Sequence, residues 1–380
     1  MQNNTPNLLG VELIEQFGMY KYPMDTEHGL NNAPLPSTNV KSQMKFANRN
    51  LTVADVLRRH PYICSDRLGL CTQAKATLLK PGARPVFRPK RPVPYAALPD
   101  VERELDRLER NGVISKVNHS YWVAPIVVVK KRSGSFRICA DFSTGLNNAL
   151  ELHQYPLPLP EDVYTVLNGG TLFSCFDFVD AYLQIEVDER SKELLTINTH
   201  RGLYRYNRLP FGVKSALGIF QQIMDTMLAG LKGTVACLDD VVAVGTTKEH
   251  PKNLDAVRHR IAEFEFRIRP EKCCLGMDQI KYLGFVFNKS GRRPDPAKIE
   301  AIKSMPAPKD ITTLRSFLGM LSYYGSFVKE MREIRAPLDA LLKKNCPFIW
   351  SNECQTAFDK AKAVSNCNPS LDIMTHHWTL

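Results

Sequence analysis

The chain has 380 residues, of which 44% are hydrophobic and 23% are charged, so it is long enough for two or three globular units with buried cores. Its formal net charge is +11 and its isoelectric point about 9.1, which favours a polyanionic partner such as nucleic acid. Charge alone is equally compatible with a generally basic protein that has no such partner.

The ten cysteines show no C-x-x-C spacing, and Cys273 and Cys274 are adjacent. The sequence therefore indicates neither a zinc ribbon nor a disulfide framework, and it is typical of a reducing intracellular compartment. The N-terminal residues lack the apolar region of a signal peptide, and the apolar stretches are far shorter than about 20 residues. We expect no membrane-spanning segment.

Residues 1–80 have a mixed composition with several prolines, which predicts a weakly folded leader. Residues 84–95 hold four basic residues among four prolines and predict an extended basic arm. A helix follows, with Pro99 in its first turn and Gly112 at its end. Its residues Val101, Leu105 and Leu108 share one face.

A hairpin is predicted next, with strands at residues 125–130 and 136–140 and a turn at Ser133 and Gly134. Four basic residues surround its tip: Lys130, Lys131, Arg132 and Arg137. Basic residues at a strand end commonly protect a sheet edge from pairing, and a phosphate-binding role is the alternative.

Three aspartates lie within apolar segments. Asp177 lies in a predicted apolar strand at residues 172–182, and Asp239 and Asp240 interrupt the apolar run at residues 234–244. An isolated Asp-Asp pair is usually an ordinary turn, but these flanks are rich in β-branched residues and predict the tip of a buried hairpin. Adjacent carboxylates repel each other unless cations neutralise them, so we expect two Mg²⁺ ions suited to in-line phosphoryl transfer.

Three further helices are predicted from apolar spacing, at residues 215–228, 297–304 and 311–328. The first follows the segment LPFGV at residues 209–213. The last carries an apolar stripe that indicates core packing first and a surface facing nucleic acid second.

Several of these motifs, in this order, resemble the reverse transcriptase of gypsy-like LTR-retrotransposon Pol polyproteins. The similarity extends almost continuously from about Pro85 to about Leu371. It includes PVFRPKRPVPY at residues 85–95, APIVVVKK at 124–131 and NTHRGLY at 198–204, besides the aspartate motifs. Ordered motifs in one chain are far more specific than any one of them.

The resemblance implies an α+β right-hand polymerase with fingers, an antiparallel palm sheet and a thumb. We expect a leader at residues 1–80, fingers and palm at 81–287, a thumb at 288–345 and the truncated beginning of a ribonuclease H-like domain at 346–380. The implied reaction is RNA-directed addition of deoxynucleotides (dNTPs) to a primer 3′-hydroxyl on an RNA or DNA template. No ribonuclease H activity is expected from residues 346–380, which hold none of that domain's acidic cluster.

The resemblance also implies site residues. Asp177 and Asp239 would bridge the two Mg²⁺ ions, or Mn²⁺, with help from Asp240 and the Phe178 carbonyl. The nucleotide would contact the following residues: Lys131 and Arg137 at the triphosphate, Tyr182 under the sugar, Phe211 in the segment that supports the templating base and the nucleotide, and Lys272 as proton donor to pyrophosphate. The primer would contact Cys237, Leu283 and Gly284.

Three positions depart from the family pattern. Cys237 stands where Tyr is usual, Leu217 where Pro is usual, and Phe178-Val179 where Leu-Ser is usual. A decayed or domesticated remnant that binds nucleic acid without polymerising it is therefore the alternative hypothesis. We expect an intracellular location, in the cytoplasm, a virus-like particle or the nucleus.

Overall fold

A computed structural model describes residues 45–46, 61–65, 67–78, 82–130, 136–324, 331–343 and 346–364. These residues fall into two compact units, divided between residues 278 and 279. The expected boundary between palm and thumb lay between residues 287 and 288. The assignment of finger, palm and thumb names to residue ranges stays a prediction.

The first unit combines helices with several sheets. Its strands are β1 Lys45–Phe46, β2 Cys71–Ala76, β3 Ile114–Val117, β4 Val123–Lys130, β5 Phe136–Ala140, β6 Leu172–Asp177, β7 Ile185–Val187, β8 Thr196–Thr199, β9 Gly202–Tyr206, β10 Thr234–Cys237, β11 Asp240–Gly245 and β12 Cys274–Met277. Its helices are α1 Leu98–Arg110, α2 Leu146–Ala149, α3 Pro160–Leu167, α4 Glu189–Lys192, α5 Ala216–Leu228 and α6 His250–Glu263.

The sheet that carries the three aspartates has the strand order β1-β12-β6-β11-β10. All its described pairs are antiparallel except the short β1–β12 pair, which is parallel. Helix α5 packs beside β10 and α6 beside β11. The apolar stripe predicted for α5 is buried, with Phe220, Met224 and Met227 fully inaccessible to solvent.

A second five-stranded sheet has the order β3-β9-β8-β4-β5. The predicted hairpin forms between β4 and β5, where Lys130 pairs with Phe136. Its turn, and with it Lys131, lies outside the described residues. Helix α1 begins at Leu98 with Pro99 in its first turn, and Val101, Leu105 and Leu108 are buried as predicted.

Part of the expected leader is well structured. Strand β2 pairs in parallel with β7, and β1 pairs with β12. Ile63, Cys71 and Ala76 are almost inaccessible to solvent and belong to the core of the first unit. The interpretation of residues 61–78 as weakly folded was therefore wrong, because their partners are distant in sequence and leave no local periodicity.

The second unit begins with a three-stranded antiparallel sheet and continues as helices. The elements are β13 Gln279–Tyr282, β14 Phe285–Asn288, β15 Gly291–Pro294, α7 Pro296–Lys303, α8 Ile311–Tyr324, α9 Met331–Ala340 and α10 Asn352–Val364. The predicted stripe of α8 is buried. Phe358 of α10 packs on Phe317 of α8, with ring centroids 4.6 Å apart.

No helix in the described part of the chain has the length and apolar character needed to cross a membrane. None of the nine cysteines that lie in described residues forms a disulfide bond.

Candidate active site

The three aspartates converge at one end of the central sheet. Strands β10 and β11 form a hairpin in which Cys237 lies opposite Asp240, so Leu238 and Asp239 are the two turn residues. Across the next strand pair, Asp240 lies directly opposite Asp177. Residues opposite each other in an antiparallel pair project from the same face with Cβ atoms about 5 Å apart. The predicted carboxylate hairpin is therefore present, and it adjoins the strand that carries Asp177.

The hairpin turn has a strained backbone. Leu238 adopts a φ of 58°, a left-handed conformation that favours glycine in two-residue turns. Gln221 of α5 stabilises this turn through two hydrogen bonds. Its Oε1 accepts the Leu238 N–H at 3.1 Å, and its Nε2 donates to the Ala236 carbonyl at 3.0 Å. Gln221 is itself buried. A buried side chain thus holds the backbone on either side of Cys237.

Burial makes the carboxylates difficult to ionise in the absence of a cation. It raises the pKa of Asp239 to about 6, although a hydrogen bond with Tyr182 acts in the opposite direction. Burial, with the charges of Asp177 and Asp239, raises the pKa of Asp240 to about 7. The pKa of Asp177 is also raised by burial. Raised pKa values of this kind are typical of buried carboxyl groups that bind a metal ion or a proton.

Basic side chains lie near the three carboxylates. Arg269 lies near Asp177, with 3.6 Å between Nη1 and Oδ1, and near Asp180, with 3.9 Å between Nη2 and Oδ1. Lys272 lowers the pKa of both Asp177 and Asp240 through its charge. Arg137 has the same effect on the pKa of Asp239. The position of Lys272 and Arg137 near the carboxylates is compatible with contacts to a triphosphate.

Tyr182 and Phe211 form an aromatic surface next to the carboxylates. Tyr182 is buried, and its ring centroid lies 4.7 Å from those of Phe211 and Phe220. The guanidinium of Arg137 lies 5.3 Å from the centroid of the Phe211 ring. The Tyr182 side chain is restrained by its contacts with Asp239 and with two aromatic rings. A surface that binds a ligand in one orientation needs side chains that are restrained in this way.

Phe178 continues the chain beyond β6 and pairs with Ile268 in an isolated antiparallel bridge. Its side chain is buried against Phe266, with ring centroids 5.3 Å apart. Only its backbone carbonyl is therefore suited to act as a ligand.

Leu283 and Gly284 lie in the second unit, in the turn between β13 and β14. Both have positive φ, 44° and 76°. Their carbonyl groups accept hydrogen bonds from the hydroxyls of Tyr323 and Tyr324, at 2.5 and 3.2 Å. This turn is fixed by α8 within its own unit.

Sequence reasoning missed three residues near the carboxylates: Gln184, Gln221 and Arg269. The position of Gln221 on an otherwise apolar helical stripe was a usable signal, because a buried amide needs specific partners. No local pattern marks Gln184 or Arg269, whose partners are distant in the sequence.

The donor set fits hard divalent cations. Oδ1 of Asp177 and Oδ1 of Asp239 are buried and have no hydrogen-bond partner among the described residues. Carboxylate and carbonyl oxygens are the ligands that Mg²⁺ prefers. In the part of the chain that the structure describes, no three His, Cys, Asp or Glu side chains form a ready-made ligand cluster. Mg²⁺ usually completes its coordination shell with water and substrate phosphates.

Comparisons with known proteins agree with this arrangement. Residues 129–287 match the family profile described as reverse transcriptase (RNA-dependent DNA polymerase). An uncharacterized protein of Caenorhabditis elegans is 45% identical over 277 residues, which cover 72% of this chain and 22% of the relative. The Pol polyprotein from transposon gypsy of Drosophila melanogaster is 29% identical over 319 residues, which cover 79% of this chain and 31% of the relative.

A solved structure of a foamy viral protease-reverse transcriptase in complex with double-stranded DNA superposes with a TM-score of 0.77. Its sequence identity is 19%, and the match covers 88% of this chain and 62% of that one. At this identity the match establishes the fold, and the predicted α+β polymerase fold is confirmed.

The three aspartates thus meet at one sheet end, within the residues 129–287 that match the reverse transcriptase profile. The family profile and the Pol polyproteins of gypsy and other LTR retrotransposons support a retrotransposon reverse transcriptase segment, as the motifs indicated. The chain spans less than a third of the length of either curated relative described above.

Proposed function

We propose that this chain is an RNA-directed DNA polymerase that adds deoxynucleotides to a primer 3′-hydroxyl. The observation that carries the proposal is the convergence of Asp177, Asp239 and Asp240 at one sheet end. One buried carboxylate oxygen of Asp177 and one of Asp239 have no hydrogen-bond partner among the described residues. The relatives and the foamy viral structure support the same conclusion.

Asp177 and Asp239 would hold two Mg²⁺ ions, with Asp240 and the Phe178 carbonyl as further ligands. When bound, Mg²⁺ lowers the cost of deprotonating the 3′-hydroxyl and neutralises charge on the triphosphate. Mn²⁺ is expected to substitute, because it accepts the same oxygen ligands.

The protein's own residues would position the other reactants. Arg137, together with Lys131, would bind triphosphate oxygens, since phosphoryl transfer depends on positioning and charge neutralisation. The Tyr182 ring would lie under the nucleotide sugar and exclude a 2′-hydroxyl, with Phe211 beside it. Lys272 Nζ would donate a proton to the leaving pyrophosphate. Cys237, Leu283 and Gly284 would contact the primer strand.

Template and primer would be bound mainly through phosphate contacts, as the net charge of +11 favours. The foamy viral relative was solved with double-stranded DNA, which supports nucleic acid as the partner of this chain too.

Primer extension on poly-rA/oligo-dT with dTTP tests the proposal. We expect extension only when Mg²⁺ or Mn²⁺ is present, and none from the Asp239→Asn variant, which loses a ligand charge without losing side-chain volume. Circular dichroism of both proteins checks that the variant is folded. Equal extension rates in parent and variant would overturn the two-metal role of Asp239. Template-primer binding without extension by either protein would identify the chain as a binding-only remnant.

A further inference from the structure

Gln184 is a completely buried amide at the end of a 3-10 turn, Ala181–Gln184, that follows the Asp177 segment. Its Oε1 accepts the backbone N–H of Arg267 at 2.6 Å. Its Nε2 donates to the carbonyl of Val179 at 2.7 Å and to the carbonyl of Arg267 at 2.9 Å. The amide therefore donates both of its hydrogens and accepts one bond, all with backbone groups.

These backbone groups belong to the pairing that continues β6 past its end. Phe178 bridges Ile268, the Val179 N–H donates to the Arg267 carbonyl at 3.0 Å, and the Arg269 N–H donates to the Asp177 carbonyl at 2.8 Å. These two backbone bonds make up the Phe178–Ile268 bridge, which is a short ladder. Gln184 reinforces it, because its side chain bonds the carbonyls of both Val179 and Arg267.

The chain next to this ladder is strained and needs external support. Asp180 has a φ of 43°, which is unfavourable for a residue with a side chain. Its carboxylate is held by Arg107, with 3.0 Å between Nη2 and Oδ2. Residues 177–180 are therefore fixed by the ladder on one side and by an ion pair on the other.

Gly69 packs directly against the Gln184 amide. A Cβ atom at Gly69 would lie 2.1 Å from Gln184 Oε1 and 2.7 Å from the Glu265 carbonyl oxygen. The first contact is with the accepting oxygen that binds Arg267. A methyl group at residue 69 would displace this amide without altering any atom of Gln184, and it would also press on the Glu265 carbonyl and on the Arg267 backbone nitrogen, which would lie 3.0 Å away.

We propose that Gln184 is a positioning residue for residues 177–180, because it fixes the direction of the Asp177 carboxylate and of the Phe178 carbonyl. The inference rests on the proposed function, in which both groups are metal ligands. Groups that orient metal ligands typically change metal affinity or activity by 10- to 100-fold when removed, on the order expected here. A purely structural amide would change stability alone.

The test uses Gln184→Met, which keeps the length of the side chain and removes its hydrogen bonds, in the full chain. Two quantities are measured well below the melting temperature: Mn²⁺ binding by electron paramagnetic resonance without nucleotide, and single-turnover dTTP incorporation on poly-rA/oligo-dT. We expect the Mn²⁺ dissociation constant to rise roughly 10-fold. The incorporation rate should fall on the order of 10²-fold, while the dissociation constant for dTTP changes little.

Ser191→Ala is the matched control. Ser191 is also buried, accepts the Leu78 N–H at 2.8 Å and donates to Asp188 at 2.7 Å, and its hydrogen bonds involve no residue of segment 177–180. It should lower the melting temperature with Mn²⁺ affinity and incorporation rate unchanged. Gly69→Ala should reproduce the Gln184→Met effects, and it replaces that variant if Gln184→Met does not fold.

Parent-like Mn²⁺ affinity in folded Gln184→Met and Gly69→Ala proteins would overturn the inference. So would a loss of affinity as large in Ser191→Ala as in Gln184→Met. If the parent binds Mn²⁺ but does not extend a primer, the proposed polymerase function fails, while the effect of Gln184 on Mn²⁺ binding is still decided. If the parent extends and Gln184→Met extends equally well, only the inference fails.

Discussion

Asp240 shows how the demands of function and stability differ at a single residue. Its carboxyl is buried next to two other carboxyls, and its pKa is raised to about 7. A carboxyl whose pKa is higher in the folded than in the unfolded protein binds more protons when folded. At pH 8 without metal, the ionised carboxylate therefore opposes folding.

We predict that Asp240→Asn raises the melting temperature of the metal-free protein at pH 8. The amide carries no charge that must be buried, so a gain of a few degrees is expected, at about 2–4 °C per kcal/mol for a unit of this size. Thermal unfolding in EDTA is the measurement. Added Mg²⁺ should then raise the melting temperature of the parent more than that of the variant. A lower melting temperature for the variant in EDTA would show that the ionised carboxylate does not destabilise the fold.

Cys237 is the second residue with a specific expectation. It is partly exposed at the end of β10, directly opposite Asp240, in the position where the family pattern has Tyr. A tyrosine would offer ring area and a hydroxyl to the primer strand that a thiol cannot match. Misplacement of a reacting group by about 1 Å can cost on the order of 10²-fold in rate.

We therefore predict that Cys237→Tyr raises the rate of primer extension, mainly through kcat. Single-turnover incorporation by the parent and the variant is the measurement. Cys237→Ser is the control, because it keeps the small volume and should extend no faster than the parent. A Cys237→Tyr rate equal to or below that of the parent would mean that the cysteine is already well accommodated.

At the scale of elements, the extended basic arm at residues 84–95 is fixed along β4. The Arg88 N–H donates to the Val123 carbonyl and the Val123 N–H donates to the Val86 carbonyl, both at 2.9 Å. The side chains of Arg88 and Arg91 contact Thr144 and Asp141. Arg84 and Lys90 are exposed and can neutralise phosphates.

We predict that replacing both Arg84 and Lys90 by Gln weakens template-primer binding and makes it less dependent on salt. Each lost phosphate contact should lower the slope of log affinity against log salt concentration by about 0.7–0.9. A fluorescence anisotropy titration at several salt concentrations gives the slope. Lys248→Gln with Lys252→Gln removes the same charge from two exposed positions, one just before α6 and one in its first turn. An equal loss of slope in both double variants would mean that only net charge matters.

The elements that sequence predicted are those with a local signal. The stripes of α1, α5 and α8, the β4–β5 hairpin and the carboxylate hairpin all depend on spacing within one segment, and the structure contains them. The parallel pairing of β2 with β7 was missed, because its two strands are more than 100 residues apart. The same reason applies to Gln184 and Arg269, whose contacts depend on the folded chain and not on spacing.

Elements of the central sheet are joined by one buried polar contact. The Ser174 hydroxyl in β6 lies 2.9 Å from Nε2 of His250, the first residue of α6, and it accepts the Gly276 N–H of β12 at 2.9 Å. Because Ser174 accepts from Gly276, its hydroxyl can donate to a neutral imidazole. Burial accordingly lowers the pKa of His250 to about 4.

For the whole molecule, the buried histidine and the buried carboxyls affect acid stability in opposite directions. The pKa of His250 in the folded protein is below its ordinary value of 6.5. Neutral His250 therefore contributes fully to the free energy of unfolding above pH 6.5, and this contribution is lost as the pH falls toward 4. This displacement corresponds to roughly 3 kcal/mol. Asp239 and Asp240 have raised pKa values, so in metal-free protein they stabilise the fold as the pH falls from about 7 to about 4.

We predict that the two contributions partly cancel in the parent between pH 7 and pH 4.5, and that single substitutions separate them. In EDTA, Asp240→Asn should lose stability on acidification more steeply than the parent, because the opposing carboxyl is gone. His250→Gln, which keeps a polar partner for Ser174, should lose less stability than the parent or gain some. Urea unfolding across this pH range at constant ionic strength is the measurement. Acidification also increases the positive charge of a chain whose net charge is already +11, and this repulsion destabilises the parent and both variants alike. It therefore largely cancels when the stability curves are subtracted from one another. Three parallel curves would show that neither buried group controls the acid stability of this protein.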